Sequence, residues 1–260
     1  MSHIRRLRVL TFSFVLLAVA VCGGYFAPQV VMYFRIRSSL NDAKWRLPIL
    51  HSVPKPLSGT AASTAEGTTL SYFGYRFEVP WTGIEREINE GRWSRVTFQG
   101  GQLVECFNPQ YFQQDPIHRP YEIDPSMYDR AFEGTPKGSK YEQLRNVLSW
   151  TPAEFQPFCS HQAFARSFVL FTLKSEWFAH SVPGPQVHSV EAAQCRGFEM
   201  TTLRQKRQTV ALRLFDAEDH WYQLNVSARE TGVRITQPEI NRIIQTFGPS
   251  PTKGSNPTEK

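Results

Sequence analysis

The sequence predicts an α+β domain, a mainly antiparallel sheet packed with helices, preceded by one N-terminal transmembrane helix. Three observations carry that expectation. Alternating aromatic and branched segments pair across short connectors at 93–107 and 209–227, helix-period stripes lie between and after them, and residues 9–27 hold no charge.

Residues 1–8 are a short basic flank with Arg5, Arg6 and Arg8. The run Val9–Ala27, VLTFSFVLLAVAVCGGYFA, stays uncharged through Phe34. Nineteen helical residues reach about 28 Å, close to the roughly 30 Å hydrocarbon thickness of a bilayer. Tyr25, Tyr33 and Trp45 sit toward its distal end, where amphipathic aromatics favour the interface. The span 9–34 is therefore expected to be a membrane anchor. A cleaved signal peptide competes, because Ala18-Val19-Ala20 resembles an A-x-A cleavage site. Cleavage would leave a mostly apolar mature end, and Val21 occupies the small-residue position of a lipoprotein box before Cys22, so retention is favoured. Basic residues flank both ends, and the positive-inside rule does not choose a direction. The resemblance to an uncut signal sequence favours the N-terminus inside and the domain outside the cytoplasm.

Residues 35–67 read as a basic juxtamembrane segment and then a Pro-, Ser-, Thr- and Gly-rich flexible spacer, HSVPKPLSGTAASTAEGTT. The domain spans 68–248, long enough for a proper core, and 249–260 is expected to be disordered. Leu70–Val79 is an alternating strand ended by Pro80. Trp93–Phe98 and Gln102–Phe107 form a hairpin about Gly100-Gly101. A long Pro-rich loop, 108–138, follows. Tyr141, Leu144, Val147 and Leu148 mark a helix face, and Thr151-Pro152-Ala153-Glu154 supplies a capping box for a short helix ended by Pro157. His161–Ala179 is a longer, strongly apolar helix carrying Phe164, Phe168, Phe171 and Trp177. Strands resume at Gly197–Leu203, with a hairpin of Thr209–Phe215 and Trp221–Ser227. Thr236-Gln237-Pro238-Glu239 caps a last helix with Ile240, Ile243, Ile244 and Phe247 on one face, and Gly248-Pro249 stops it.

The formal charge of +6 suggests nucleic acid, but its distribution excludes that partner. Residues 1–50 carry all of it, and the remainder balances 22 basic against 22 acidic residues. A phosphate binder concentrates positive charge on its folded part. Cys106, Cys159 and Cys195 leave two readings open: one disulfide with a spare thiol, or three reduced core cysteines.

The segments FGYRFEVPW, RVTFQGGQLVECF and WYQLNVSARETGVRITQPEINRIIQTF resemble the PsbP-type α/β sandwich. The middle, KYEQLRNVLSWTPAEFQPF with SFVLFTLK, resembles uncharacterised membrane-anchored proteins of soil bacteria, and would be an insertion in the PsbP-type plan. These resemblances imply an extrinsic binding or assembly module without catalytic residues, and transfer no site residue.

No G-x-S-x-G, H-E-x-x-H, C-x-x-C, P-loop or G-x-G-x-x-G pattern occurs. Cys159-Ser160-His161 at a helix start could pair a thiol nucleophile with an imidazole base, although adjacent residues there point in different directions. His180 and His188, with Cys195 or His220, match no compact zinc spacing, so neither a metal nor a cofactor is expected. Asp115, Glu122, Asp124 and Asp129 could act as paired carboxylates, but Arg119 and Arg130 interleave with them, as in a self-neutralising loop. Tyr111, Phe112, Tyr121 and Tyr128 make loop 108–138 the first place to expect a protein partner, or else pin that loop to the core. The expectation is a membrane-anchored, extracytoplasmic, non-enzymatic binding or assembly module that meets lipid through its anchor. The alternative is a membrane-tethered, hydrolase-like enzyme using the loop carboxylates or the Cys159/His161 region.

Overall fold

A computed structural model describes residues 23–34, 37–38, 50–57, 59, 61–112, 123–136, 138–156, 158–177, 186–204, 207–228 and 233–250. The fold is α+β with a large, mostly antiparallel sheet. Its elements are helix α1 over residues 23–34, then β1 (Lys55–Pro56), β2 (Thr68–Tyr72), β3 (Tyr75–Val79), β4 (Ile84–Asn89), β5 (Trp93–Phe98) and β6 (Gln102–Phe107). Helices α2 (Pro109–Phe112), α3 (Pro125–Ala131), α4 (Lys140–Ser149) and α5 (His161–Trp177) follow, with a 3-10 turn at Pro152–Glu154. Strands β7 (Gln186–Glu191), β8 (Arg196–Arg204), β9 (Arg207–Phe215) and β10 (Trp221–Ala228), helix α6 (Gln237–Thr246) and β11 (Gly248–Pro249) complete the chain.

Among the described residues the main sheet runs β1-β7-β8-β9-β10-β6-β5-β4, and a small sheet runs β11-β3-β2. Every pair is antiparallel except β1 with β7. Period-two alternation splits the main sheet's side chains between two cores. Val210, Leu212, Leu214, Leu224 and Val226 face α6 and the small sheet. Phe198, Met200, Phe215 and Trp221 face α3, α4 and α5. Helices α3, α4 and α6 start where the sequence supplies a cap. The Asp124 carboxylate accepts from the Ser126 amide at 2.8 Å, Ser139 caps α4, and Thr236 with Glu239 forms a capping box on α6.

Besides helices α2 and α3 within the expected loop 108–138, and Pro249, expected in the disordered tail but paired in β11, three features differ from the sequence reading. Leu70–Val79 is not one strand: Phe73 and Gly74, at φ 53° and 87°, turn it back into the β2–β3 hairpin. Positive φ at both central residues matches the right-handed twist of the flanking strands, and Phe73 at the first of them hides the signal. Strands β4 and β7 were not foreseen. β4 is exposed along nearly its whole length as an edge, so no alternation marks it.

The third difference concerns the stretch expected to be a flexible spacer. Its described residues are strapped to the domain. Lys55 and Pro56 pair with β7, and Asn241 Nδ2 donates to the Gly59 and Ala61 carbonyls at 2.9 and 3.0 Å. Arg242 donates to the Ser63 and Ala65 carbonyls, and the Ser63 amide donates to Pro238 O at 2.9 Å. Backbone groups find partners wherever side-chain amides and guanidinium groups offer them, whatever the composition of the segment.

Lys174, buried within the apolar α5, secures the other end of this strap. Its ammonium donates to Ser52 O at 2.7 Å, Leu148 O at 2.8 Å and Trp150 O at 2.6 Å. It therefore joins the strap, the C-terminal end of α4 and α5 at one point. Burial pushes the ammonium down to about 8, with Glu154 opposing the shift.

Candidate functional site

Helix α1 packs against the helical layer rather than projecting from it. Tyr33 stacks on Phe155 with ring centroids 5.8 Å apart, Tyr25 meets His161 edge-on at 4.1 Å, and Phe26 meets Phe158 at 5.8 Å. Between α1, α3, α5 and residues 132–136 and 138 lies a cleft of about 1460 Å³. This is larger than the roughly 300–1,000 Å³ usual for small-molecule sites. Its walls are largely apolar, with Met32 from α1, Met127 and Phe132 from and after α3, and Phe164 and Phe168 from α5. Met and Phe suit a surface that adapts to an irregular apolar occupant.

One polar side chain in the wall is out of place. Gln29 is 3 % exposed, and neither its amide nitrogen nor its amide oxygen has a hydrogen-bond partner among the described residues. A buried amide left unpaired costs about 1–3 kcal/mol, so the site is incomplete as it stands. On α1 and just before α5, Tyr25, Val31, Met32, Phe34 and Phe158 are exposed, Phe158 by 72 %.

The residues singled out in sequence are dispersed. Cys159 Sγ donates to Gln156 O at 3.0 Å, while the His161 ring lies against Tyr25. Among the described residues no hydrogen bond joins them, and His161 belongs instead to the cleft. Cys195 is buried beneath α6, with Sγ 3.6 Å from Ile244 O. His188 lies on β7, and His220 sits in the β9–β10 connector with Nδ1 3.1 Å from Asp216. His180 lies outside the described residues, and among those described no three His, Cys, Asp or Glu side chains gather as a metal site. Cys106, Cys159 and Cys195 are all free thiols. Burial pushes Cys106 and Cys195 up to about 12.

In loop 108–138, Asp115, Glu122, Arg119 and Tyr121 and the Phe112 side chain lie outside the described residues. Asp124 is occupied in capping α3, whereas Asp129 and Arg130 line the cleft. Tyr128 is buried against Phe132 at 5.0 Å and pins α3 down. Tyr111 is 56 % exposed, with the Arg92 guanidinium 5.3 Å above its ring. The loop thus contributes through α3 and the turn after it. What sequence reasoning missed is Gln29, a lone amide within an apolar run, whose signal only burial brings out.

Part of the expected anchor, 9–22, also lies outside the described residues. Among those described, no helix is long and apolar enough to cross a membrane. The chain matches no family model, no curated protein and no solved structure.

Proposed function

We propose that this chain is a membrane-anchored binding module, held outside the cytoplasm by its N-terminal apolar run and acting without catalysis. The observation that carries the reading is that the continuation of that run, α1, forms a wall of the cleft of about 1460 Å³. Anchor and binding surface are then one continuous helix-bearing segment, so ligand capture would take place where the chain leaves the bilayer. The dispersal of Cys159, His161, His188, Cys195 and His220 supports binding over chemistry, because a nucleophile and its base need hydrogen-bond reach. A largely apolar wall with interspersed polar groups suits retention and orientation of a ligand.

The test is topological. Reporter fusions after Lys260 and protease access to intact cells should place the domain outside, and the chain should stay with membranes through alkaline carbonate washing. Release by carbonate, or a protected C-terminal reporter, would overturn the reading.

A further inference from the structure

We propose that the cleft between α1, α3 and α5 takes up an acyl chain of a membrane phospholipid, with the Gln29 amide bonded to the ester region beneath the headgroup. The inference rests on the membrane-anchored reading above and names its ligand.

Four features of the molecule converge on that occupant. The cleft's volume of about 1460 Å³ leaves room for a long chain, and the apolar share of its wall, with Met32, Met127, Phe132, Phe164 and Phe168 beside the charged Asp129, Arg130 and Glu133, conforms to a flexible methylene run. Gln29 is buried with both amide atoms unpaired, one a donor pair and the other an acceptor. A glycerol ester offers carbonyl oxygens for the amide N–H groups, at the boundary between apolar chain and polar head. That boundary is where a buried, unpaired amide in a largely apolar wall belongs.

The third feature is continuity. Residues 9–22 are uncharged and lead in sequence into α1, so on the membrane-anchored reading a wall of the cleft follows directly on the segment expected to sit in lipid. A lipid reaches the cleft from the bilayer without crossing water, which favours a membrane lipid over a soluble ligand. The fourth is exposed apolar surface. Tyr25, Val31 and Phe34 on the cleft-lining α1, and Phe158 just before α5, stay exposed, an arrangement costly in water and stable against headgroups and acyl chains. Lipid entry removes apolar wall from water, satisfies Gln29 and leaves the ordered core unchanged.

The experiment uses the full chain reconstituted in vesicles of a phosphatidylethanolamine and phosphatidylglycerol mixture containing a phospholipid with a photoreactive diazirine in its acyl chain. After illumination, labelled peptides are mapped by mass spectrometry. Labelling is expected on α3 with its following turn (125–138) and on the first half of α5 (161–168), besides the run 9–27. Ala165→Trp, which fills the cleft from a half-buried helical position, should abolish labelling on α3 and α5 while leaving 9–27 labelled. Gln29→Leu should lower labelling on α3 and α5 about tenfold, the effect of one hydrogen-bonded amide. Labelling confined to 9–27 would overturn the cleft proposal and leave anchorage standing. No labelling of 9–27 would overturn anchorage itself. Equal α3 and α5 labelling in the parent and Ala165→Trp would mean that lipid meets the outer surface rather than the cleft, and would also overturn the proposal.

Discussion

Replacing Lys174 by Met keeps the aliphatic stem in α5 and removes the ammonium. The three carbonyl oxygens of Ser52, Leu148 and Trp150, at 2.6–2.8 Å, then lose a charged donor. Hydrogen bonds to charged groups each contribute about 1.5–3 kcal/mol, so three give roughly 4–9 kcal/mol before any offset. Burial takes back part of this. It lowers the ammonium from 10.5 to about 8, equivalent to about 3 kcal/mol. The net loss expected for Lys174→Met is thus about 3 kcal/mol, read as a shift in the urea midpoint at constant slope. The loss has a location as well as a size, since Ser52 belongs to the strap. Limited proteolysis of the variant should therefore begin within 50–57. A pH series isolates the charge. Between about pH 8 and 10.5 the unfolded chain holds a proton on this lysine that the folded chain has released, so stability rises with pH in that window. From pH 8 to 9 the parent should gain about 1 kcal/mol that the Met variant lacks. A midpoint within about 0.5 kcal/mol of the parent, or matching slopes from pH 8 to 9, would refute the three-carbonyl clasp.

The thiols act in the opposite sense. Unfolded, they titrate near 9.0, and Cys106 and Cys195 are pushed up to about 12 when folded, so the stability they contribute is present below pH 9 and lost between 9 and 12. The alkaline profile should turn over near pH 9, and in the native protein a thiol reagent should modify half-exposed Cys159 far faster than the other two. A Cβ on Gly197 would lie 2.0 Å from the Arg213 carbonyl oxygen, so Gly197→Ala should lose about 2–4 kcal/mol by denaturant melt. Gly248→Ala meets only the end of the Gln194 side chain, which can swing aside, and should lose under about 1 kcal/mol. Asn241→Leu removes the donor to Gly59 and Ala61, and should lose about 1–2 kcal/mol while speeding protease cleavage within 57–66.

Elements whose pattern is local were legible in the sequence. The β9–β10 hairpin follows from alternation of Val210, Leu212 and Leu214, and α6 from its capping box and the spacing of Ile240, Ile243, Ile244 and Phe247. Elements defined by distant partners were not. β7 reads QVHSVE and becomes a strand because β8 lies beside it. The strap reads as a spacer, because the side chains that hold it come from α6 about 180 residues later. Of the cleft, His161, Asp129 and Arg130 were singled out for acid–base or ionic roles, and Tyr128 for gripping a partner or pinning the loop, rather than as a lining. Gln29 resembled any other residue of an apolar run until the fold brought α1 onto α3 and α5.

The strap also governs reach. A free coil of the 33 residues 35–67 would let a tethered domain wander about 30 Å from its attachment. With Ser52 clasped by Lys174, residues 59–65 held by Asn241 and Arg242, and Tyr33 stacked on Phe155, that radius collapses. On a membrane-anchored chain the domain would sweep no hemisphere of partners. It would keep a set height and one compass bearing over the lipid, so anything it engages must come to that fixed post.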